Sequence, residues 1–379
     1  MAASQENSTS SNGHSSIFSG RPRKIGTHSG VFHADEALAC FMLMQLPEYT
    51  NAEIIRFRNY SSRDPEVWKK CDILVDVGGV YDQDAFRFDH HQRSFKDTMN
   101  SIQPEKPWTI KLSSAGLIFC HFGRRVIAQL LQLDNRNEKH AKDIELIYDK
   151  VYETFIMEID AIDNGVQQSE KPLAYQINTG LSSRVKKFNP RWNEPVQPED
   201  LQRRFMQAVQ LTGSEFSDKI DFYRTSWLPA RQIVEDALLK RFEIDPSGQI
   251  VRLPVGGCPW QDHLLQLEQE QQLNTEQQIK FVLYQDDQQH WRVQAVPIAI
   301  GSFITRLPLP EPWRGLINET LSQMSGIPGC IFAHHSGFIG GNTTYDGALA
   351  MACKTLNLAT SDANLKINEP IPSSSVSMQ

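Results

Sequence analysis

The chain has 379 residues and a formal net charge of −7; 40% of its residues are hydrophobic and 22% are charged. This length suffices for two or three domains, and the composition excludes collagen-like, coiled-coil and wholly disordered chains. The longest apolar runs, around Ala37–Met44 and Ala295–Ile300, are shorter than the roughly 20 residues of a membrane-spanning helix, so we expect a soluble protein that contacts no membrane. The acidic balance excludes a protein that coats nucleic acid by net charge alone, but it permits a local basic groove.

The two ends of the chain are predicted to be disordered. Residues 1–22 form a leader rich in Ser, Asn and Gly, and residues 360–379 form a tail rich in Ser and Pro. The leader does not resemble a signal peptide and is compatible with residence in the nucleus, the mitochondrion or the cytoplasm. The six cysteines include no CxxC pair, which favours reduced thiols in an intracellular protein.

In residues 23–185, short apolar runs alternate with longer segments whose apolar residues recur at helical spacing. The pattern predicts strands at Lys24–Thr27, Glu53–Phe57, Ile73–Val77 and Phe86–Asp89, and helices at Glu36–Leu46, Ser114–Leu133 and Ala141–Ile162. Such alternation is typical of βαβ units, so we expect an α/β fold with a mostly parallel sheet in this domain.

Two further segments follow. Residues 186–245 are predicted to form a helical connector of two helices, broken near Gly213 and kinked or restarted at Pro229. Residues 246–359 return to alternation and are interpreted as a smaller α/β C-terminal domain. Its predicted elements are strands at Ile250–Leu253, Lys280–Tyr284, Trp291–Val296 and Cys330–Ala333, and a helix at Asp346–Leu356.

Histidines and aspartates cluster just after predicted strands. They are His28, His33, Asp35, Asp76, Asp89, His90 and His91. Each residue taken singly has a structural explanation, such as a turn aspartate. Together they lie where ligands gather in open α/β sheets, outside the carboxyl ends of the strands. Imidazole and carboxylate groups without thiolates suit Mn²⁺, Mg²⁺, Fe or Zn, and converging carboxylates repel one another unless cations hold them. The pattern therefore predicts a dinuclear metal centre.

The same residues carry a resemblance to a known superfamily. Asp89-His90-His91, the upstream His28…His33-Ala-Asp35, the strand-end Asp76 and a later Asp163-Asn-Gly resemble the motifs of the DHH phosphoesterases. The strings THSGVFHADEALAC, ILVDVGGVYD, FDHHQRSF, EIDAIDNG and SGFIGGNTTYDGALAMA are similar to those of the melanocyte-proliferating-gene family, a DHH-type branch described as 3′–5′ RNA exonucleases. The resemblance implies a DHH-type N-terminal catalytic domain and a substrate-binding C-terminal domain.

The resemblance also implies two divalent metal ions, with Mn²⁺ expected first and Mg²⁺ second, and with Asp76 as their bridge. The implied ligands are His28, His33, Asp35, Asp76, His90 and Asp163. One departure is His33, where the superfamily commonly has an aspartate, at a spacing from His28 that is one residue longer than usual. Asp160 competes with Asp163 for the last position, and the Asp-Asn-Gly turn favours Asp163 because it projects the carboxylate from a helix end.

The implied catalytic residues are Asp76, Asp89, His90 and His91. Asp89 is expected to hold a neighbouring imidazole, and His91 is expected to contact the phosphate or to protonate the leaving oxygen. Ser113 and Ser114 open a predicted helix, and they either cap it or turn its N–H groups towards the site.

Two segments are expected to contact the substrate. His334 and His335 precede a glycine-rich stretch containing Gly340 and Gly341, which we expect to be a strand-to-helix turn; the resemblance implies that this turn grips a phosphate. The second segment, Lys171–Trp192, carries five basic and no acidic residues, with aromatic residues interleaved.

In this second segment the expected substrate contacts are Arg184, Lys186 and Lys187. Basic groups would follow the phosphates of a single strand while aromatic rings stack on its bases. A solvated linker whose aromatic residues belong to the core explains the same pattern equally well.

The sequence thus favours a metal-dependent phosphodiesterase, most concretely a 3′–5′ exonuclease acting on RNA or short single-stranded oligonucleotides through a metal-activated water. One alternative is a small-molecule phosphoesterase that hydrolyses pyrophosphate, dinucleotides or cyclic nucleotides. Another is a non-catalytic scaffold that binds a structural metal.

Overall fold

The computed structural model describes residues 21–57 and 68–367, with side chains up to Ser361. The chain divides into two compact units between Ile220 and Asp221, inside the segment predicted as a connector. Residues 1–20 of the predicted leader lie outside the described part. The last helix reaches Ile367, so the first residues of the predicted disordered tail are helical.

The first unit is built on a five-stranded sheet. Its strands are β1 (Lys24–His28), β2 (Glu53–Phe57), β3 (Ile73–Val75), β4 (Tyr81–Asp82) and β5 (Arg87–Phe88). They lie in the order β2-β1-β3-β5-β4; the first four in this order are parallel and β4 is antiparallel to β5. The predicted α/β fold with a mostly parallel sheet is confirmed.

Helices pack around this sheet. They are α1 (Ala34–Met44), α2 (Met99–Ile102), α3 (Ser114–Leu130), α4 (Glu138–Val151), α5 (Met157–Asp163), α6 (Leu181–Lys186) and α7 (Pro198–Phe222). The helix predicted over Ala141–Ile162 is one continuous helical run from Glu138 to Asp163, in which a π-helical turn at Tyr152–Ile156 separates α4 from α5. Such a turn adds a residue and changes the helical phase.

The helix break predicted near Gly213 is wrong, because α7 continues through this residue. A Cβ atom at Gly213 would lie 2.0 Å from the ring of Phe41 on α1. The glycine therefore permits close helix packing. After α7, a π-helical turn at Tyr223–Trp227 leads into α8 (Leu228–Leu239), and Pro229 lies in the first turn of that helix, where proline is tolerated.

The second unit has its own five-stranded sheet. Its strands are β6 (Ile250–Arg252), β7 (Phe281–Gln285), β8 (Trp291–Ala295), β9 (Cys330–Ala333) and β10 (Ile339–Asn342), and its remaining helices are α9 (Arg241–Ile244), α10 (Trp260–Glu270), α11 (Asn318–Ser325) and α12 (Tyr345–Ile367). The order is β6-β7-β8-β10-β9. Only β6 and β7 are parallel, so this α/β unit is mainly antiparallel.

The glycine-rich turn predicted around Gly340 and Gly341 is also wrong, because both residues lie inside strand β10. A Cβ atom at Gly340 would lie 2.8 Å from Leu309 Cδ1 and 3.0 Å from Met351 Cε. The glycines thus allow core side chains to approach the strand, and they present no N–H cradle at a helix start. Within the described residues, no helix is both long enough and apolar enough to cross a membrane.

Candidate metal centre

Polar side chains meet at the carboxyl ends of three parallel strands. Strand β1 ends at His28, Asp76 follows β3, and Asp89 and His90 follow β5. Because these strands are parallel neighbours, their carboxyl ends share one edge of the sheet. His28, Asp76 and His90 are all buried there.

The amino end of α1 adds further ligands to this edge. His33 is the N-cap of α1, and its backbone N–H donates to the Glu36 carboxylate at 3.0 Å. Asp35 lies in the first helical turn, and its carboxylate accepts hydrogen bonds from the backbone N–H groups of Ser114, at 3.1 Å, and Ala115. The first turn of α3 therefore holds the Asp35 carboxylate in place.

One group of ligand atoms forms around His28. Its Nε2 atom is 2.9 Å from Glu36 Oε1 and 3.3 Å from Asp76 Oδ2. Together with His33, these three residues offer ligand atoms that all lie within 4.8 Å of one another.

Two further groups form around His90. Its Nε2 atom is 2.9 Å from Asp163 Oδ2 and 3.9 Å from Asp35 Oδ2. Asp76 Oδ1 is 3.6 Å from the same Nε2 atom and 3.4 Å from His91 Nδ1. One oxygen of Asp76 thus faces the His28 group and the other faces the His90 groups. This is the arrangement that a bridging carboxylate requires.

The pKa values of the cluster show that protons on the imidazoles occupy the place of a cation. Burial raises the pKa of Asp35 well above its usual range, and the charges of Asp76 and Asp163 raise it further. Burial lowers the pKa of His28 and of His90, but the carboxylates that surround each ring outweigh it and raise both values to about 10. Protons on the imidazoles therefore balance the carboxylates, and a metal ion would displace them.

His90 provides a direct test of whether these residues fit a metal ion. Its Nε2 atom is buried and makes no hydrogen bond of normal geometry to any described residue, although Asp163 is close. Its Nδ1 atom is 3.3 Å from Asn164 Oδ1, and the Asn164 amide donates to the carbonyl of Lys111 at 2.8 Å. In metal-binding histidines, one ring nitrogen faces the metal while a hydrogen bond to the other nitrogen fixes the orientation of the ring. His90 has this arrangement, with Nε2 facing carboxylates and Nδ1 beside Asn164.

The structure separates the two aspartates that compete for the last ligand position. Asp163 reaches His90, whereas the Asp160 carboxylate points into the core. There it accepts hydrogen bonds from the Ser113 backbone N–H at 2.9 Å, from the Ser113 hydroxyl at 2.8 Å and from the Tyr152 hydroxyl at 3.0 Å. Ser113 is also the N-cap of α3.

Asp89 and His91 lie at the outer side of the cluster. Asp89 Oδ1 is 2.8 Å from His91 Nδ1, and Asp89 Oδ2 accepts a hydrogen bond from the Gly79 backbone N–H at 2.6 Å. The hydrogen bond that the His91 ring donates to the Asp89 carboxylate raises the pKa of His91 despite partial burial. The His91 side chain is 55% exposed, so its Nε2 atom can meet a ligand.

Two contributors to the cluster were missed in the sequence: Glu36 enters the His28 group, and Asn164 orients His90. Ser114 was expected either to cap its helix or to turn its N–H towards the site; its N–H donates to Asp35, and its hydroxyl is 3.3 Å from Asp76 Oδ1. The position of Glu36, three residues after the N-cap of a helix, was a signal, but capping explains it equally well.

The predicted substrate contacts of the first unit have different surroundings. Arg184 forms a bidentate ion pair with Glu215, so its guanidinium is already paired within the protein. Lys186 lines a cavity of about 320 Å³ together with Asp35 and Asp163. Lys187 is exposed.

The aromatic residues of the Lys171–Trp192 segment are not all part of a core. Tyr175 is 76% exposed and Trp192 is 96% exposed. An ordinary linker with core aromatics does not account for these two rings. Exposed rings beside basic side chains are suited to stacking on unpaired bases.

Comparison with known proteins gives the family. The sequence model MYG1_exonuc, described as the uncharacterised protein family UPF0160, matches residues 24–356. MYG1 exonuclease of Mus musculus is 53% identical over 336 residues, which cover 88% of this chain and 85% of the relative. The Homo sapiens MYG1 exonuclease is also 53% identical over 336 residues, covering 88% and 86%.

A weak structural similarity to the Mn²⁺ complex of RecJ from Thermus thermophilus has 13% identity and a TM-score of 0.24, over 89% of this chain and 52% of RecJ. That score is too low to support any inference. The family match and the close relatives show that the chain belongs to the MYG1 exonuclease family, UPF0160.

Proposed function

We propose that this protein is a metal-dependent phosphodiesterase, and specifically a 3′–5′ exonuclease that acts on single-stranded RNA. The observation that carries the proposal is the position of Asp76, whose two carboxylate oxygens face two different groups of ligand atoms. When bound there, divalent cations, Mn²⁺ first and Mg²⁺ second, supply an activated water and neutralise charge on the phosphate.

The protein's own residues have separate tasks in this reaction. His28, His33, Asp35, Asp76, His90 and Asp163 would hold the cations, with Glu36 as a further ligand. Asp89 would orient His91, and the Nε2 atom of this half-exposed side chain would donate a proton to the leaving oxygen. Lys186, beside Asp35 and Asp163 in one cavity, would attract the phosphate.

Two observations support a nucleic-acid substrate. The relatives from mouse and man are named exonucleases, and the Lys171–Trp192 segment presents exposed aromatic rings among basic residues. RNA as substrate and the 3′–5′ direction rest on the family resemblance of the sequence motifs.

The first test replaces Asp76 by Asn. Loss of the shared carboxylate should lower the rate of trimming of an end-labelled RNA oligomer, with Mn²⁺ present, by at least about 100-fold, because even the partners of metal ligands contribute 10- to 100-fold. Asp84→Asn is the control, since Asp84 is an exposed carboxylate of the same unit. Unchanged trimming by Asp76→Asn would exclude the proposed site.

The second test separates long substrates from small ones. Charge reversal in Lys187→Glu, in the basic segment but outside the cavity that Lys186 shares with Asp35 and Asp163, should reduce hydrolysis of a long RNA far more than hydrolysis of a dinucleotide, because only the long strand extends along the basic segment. Equal losses on both substrates would favour the small-molecule phosphoesterase. The direction of cleavage is determined with oligomers labelled at the 5′ or at the 3′ end, because a 3′–5′ exonuclease releases the 3′ label first.

A further inference from the structure

A second cavity, of about 550 Å³, lies within the unit that follows Ile220. Its volume is within the range of small-molecule sites. Aromatic rings and amides dominate its lining, and none of its lining residues is Asp, Glu, Lys or Arg. The residues that define its chemistry are Phe303, His334, His335, Phe338, Gln261 and Gln294.

One wall of this cavity is a set of adjoining rings. The ring centroids of His334 and His335 are 4.1 Å apart, and those of His334 and Phe338 are 4.7 Å apart. His334 Nδ1 accepts a hydrogen bond from the Ser336 backbone N–H at 3.3 Å. The ring therefore accepts at Nδ1 and, when neutral, carries its proton on Nε2.

A short hairpin loop that carries Phe303 also lines the cavity. Pro297 pairs with Thr305 in a β-bridge, and the Ile298 N–H donates to the Ile304 carbonyl at 3.0 Å. The loop is thus held by backbone hydrogen bonds, yet the Phe303 side chain is 99% exposed. A ring held at a cavity rim without packing partners of its own is suited to stack on a planar ligand.

The polar groups of the cavity are neutral and directional. Gln294 Oε1 accepts a hydrogen bond from the Tyr284 hydroxyl at 2.8 Å, which orients the amide and directs its NH₂ group as a donor. Gln261 and the hydroxyl of Ser302 also line the cavity. Such groups match the edge of a heterocycle, whereas a phosphate would be expected to meet cationic side chains.

We propose that this cavity binds one unstacked nucleobase of the single-stranded substrate, with Phe303 and His335 as stacking residues; this inference rests on the nuclease function proposed above. It replaces the phosphate contact expected for His334 and His335 by recognition of a base. An apolar peptide is the competing occupant. The amides and histidine nitrogens of the wall favour the nucleobase, because a base presents donors and acceptors on the edge of the same planar ring that stacks, whereas apolar side chains present neither.

The test compares binding of two oligomers to the full-length chain, with EDTA present so that no turnover occurs. One is a fluorescein-labelled oligoadenylate of eight nucleotides; the other is an abasic oligomer of the same length and charge. Phe303→Ala should weaken binding of the oligoadenylate roughly tenfold, as expected for the loss of one stacking contact, and should leave the abasic oligomer unchanged. Ile300→Ala, an exposed change in the same loop, should alter neither affinity.

His335→Ala provides the second variant and should show the same selectivity. If Phe303→Ala and His335→Ala weaken both oligomers equally, the cavity contacts the backbone and the inference is wrong. If they weaken neither, the loop has another partner, such as a peptide, and the inference is also wrong. Because this binding needs no metal, its outcome is independent of the trimming assay: absent trimming by the wild type would refute the nuclease function and leave the base-binding measurement intact.

Discussion

At the scale of single residues, Asp76 shows how the backbone serves the candidate site. It has φ of 56°, in the left-handed region that costs a non-glycine residue about 1–3 kcal/mol. Its backbone N–H donates to the carbonyl of Phe88 at 3.1 Å, so pairing with β5 holds the strained residue in place. This conformation lets one side chain, at the very end of β3, face both groups of ligand atoms.

Asp160 illustrates how a residue beside the site is assigned a structural task. Burial raises the pKa of Asp160 to about 7, although hydrogen bonds from Ser113 and Tyr152 lower it. The folded protein therefore retains a proton that the unfolded chain releases above about pH 4. The stability that this proton contributes is complete below about pH 4 and is lost as the pH rises through about 7.

Asp160→Asn should remove this pH dependence, because asparagine does not titrate. We expect the free energy of unfolding of the wild type, relative to the variant, to fall by a few kcal/mol at most between about pH 4.5 and 8. Urea unfolding of both proteins across this range measures the difference. A difference that stays constant with pH would show that Asp160 is ionised throughout.

At the scale of elements, the loop between β1 and α1 connects the candidate metal centre to the rest of the first unit. Arg56 on β2 donates to the carbonyls of His28 at 3.1 Å and Gly30 at 3.0 Å. Asn189 holds both backbone groups of Phe32, accepting from its N–H at 3.0 Å and donating to its carbonyl at 2.8 Å. The loop that carries His28 and His33 is therefore fixed by residues distant in sequence.

Asn189→Ala should loosen this loop and lower the affinity for Mn²⁺ by roughly tenfold, as is usual when a partner of the ligands is lost. Calorimetric titration of the metal-free chain with Mn²⁺ measures the affinity. Asn51→Ala is the control, since Asn51 is exposed and lies in a turn. Unchanged affinity in Asn189→Ala would show that the loop keeps its conformation without the hydrogen bonds between Asn189 and Phe32.

At the scale of the whole molecule, the two units have separate sheets and separate cores. In the second unit, neighbouring pairs of residues on β6 and β7 point to opposite faces of the sheet. The pair Ile250 and Phe281 belongs to one core cluster, and the next pair, Val251 and Val282, belongs to another. The sheet is therefore covered on both faces, which is what a unit needs for a core of its own.

A buried ion pair allows the second unit to be perturbed by itself. Glu268 on α10 accepts hydrogen bonds from Arg306 at 2.9 and 2.7 Å and from the Ile279 backbone N–H at 2.8 Å. Both side chains are largely buried. Removing one partner leaves the other charge buried without compensation, at a cost of about 3–5 kcal/mol.

Glu268→Ala should therefore speed amide hydrogen exchange in residues after Ile220 and leave the sheet of the first unit unchanged. Mass spectrometry of peptides from both units measures this. Glu270→Ala is the matched control, because its ion pair with Arg231 is exposed on the Glu270 side and contributes under about 1 kcal/mol. Equal acceleration in the peptides of β1–β3 would contradict separate stability of the two units.

Elements with strong local signals were predicted well from the sequence. Strands β2 (Glu53–Phe57) and β9 (Cys330–Ala333) have their predicted bounds, because apolar runs between polar turns define them. The errors at Gly213 and at Gly340 share one cause: glycine signals a turn locally, but here Phe41 and Leu309 occupy the space that a side chain would fill. Close packing between distant segments leaves no local signal.

The candidate site divides in the same way. The sequence by itself determined which polar residues come together, because the carboxyl ends of parallel strands share one edge and therefore place His28, Asp76 and His90 side by side. Only the tertiary structure decided their partners: Asp163 rather than Asp160 beside His90, Asn189 on the ligand loop, and Glu215 on Arg184. Each of these pairings depends on the position of a segment that is distant in sequence. A hydrogen bond forms only when two atoms lie about 3 Å apart, and the spacing of residues along the sequence does not determine that distance.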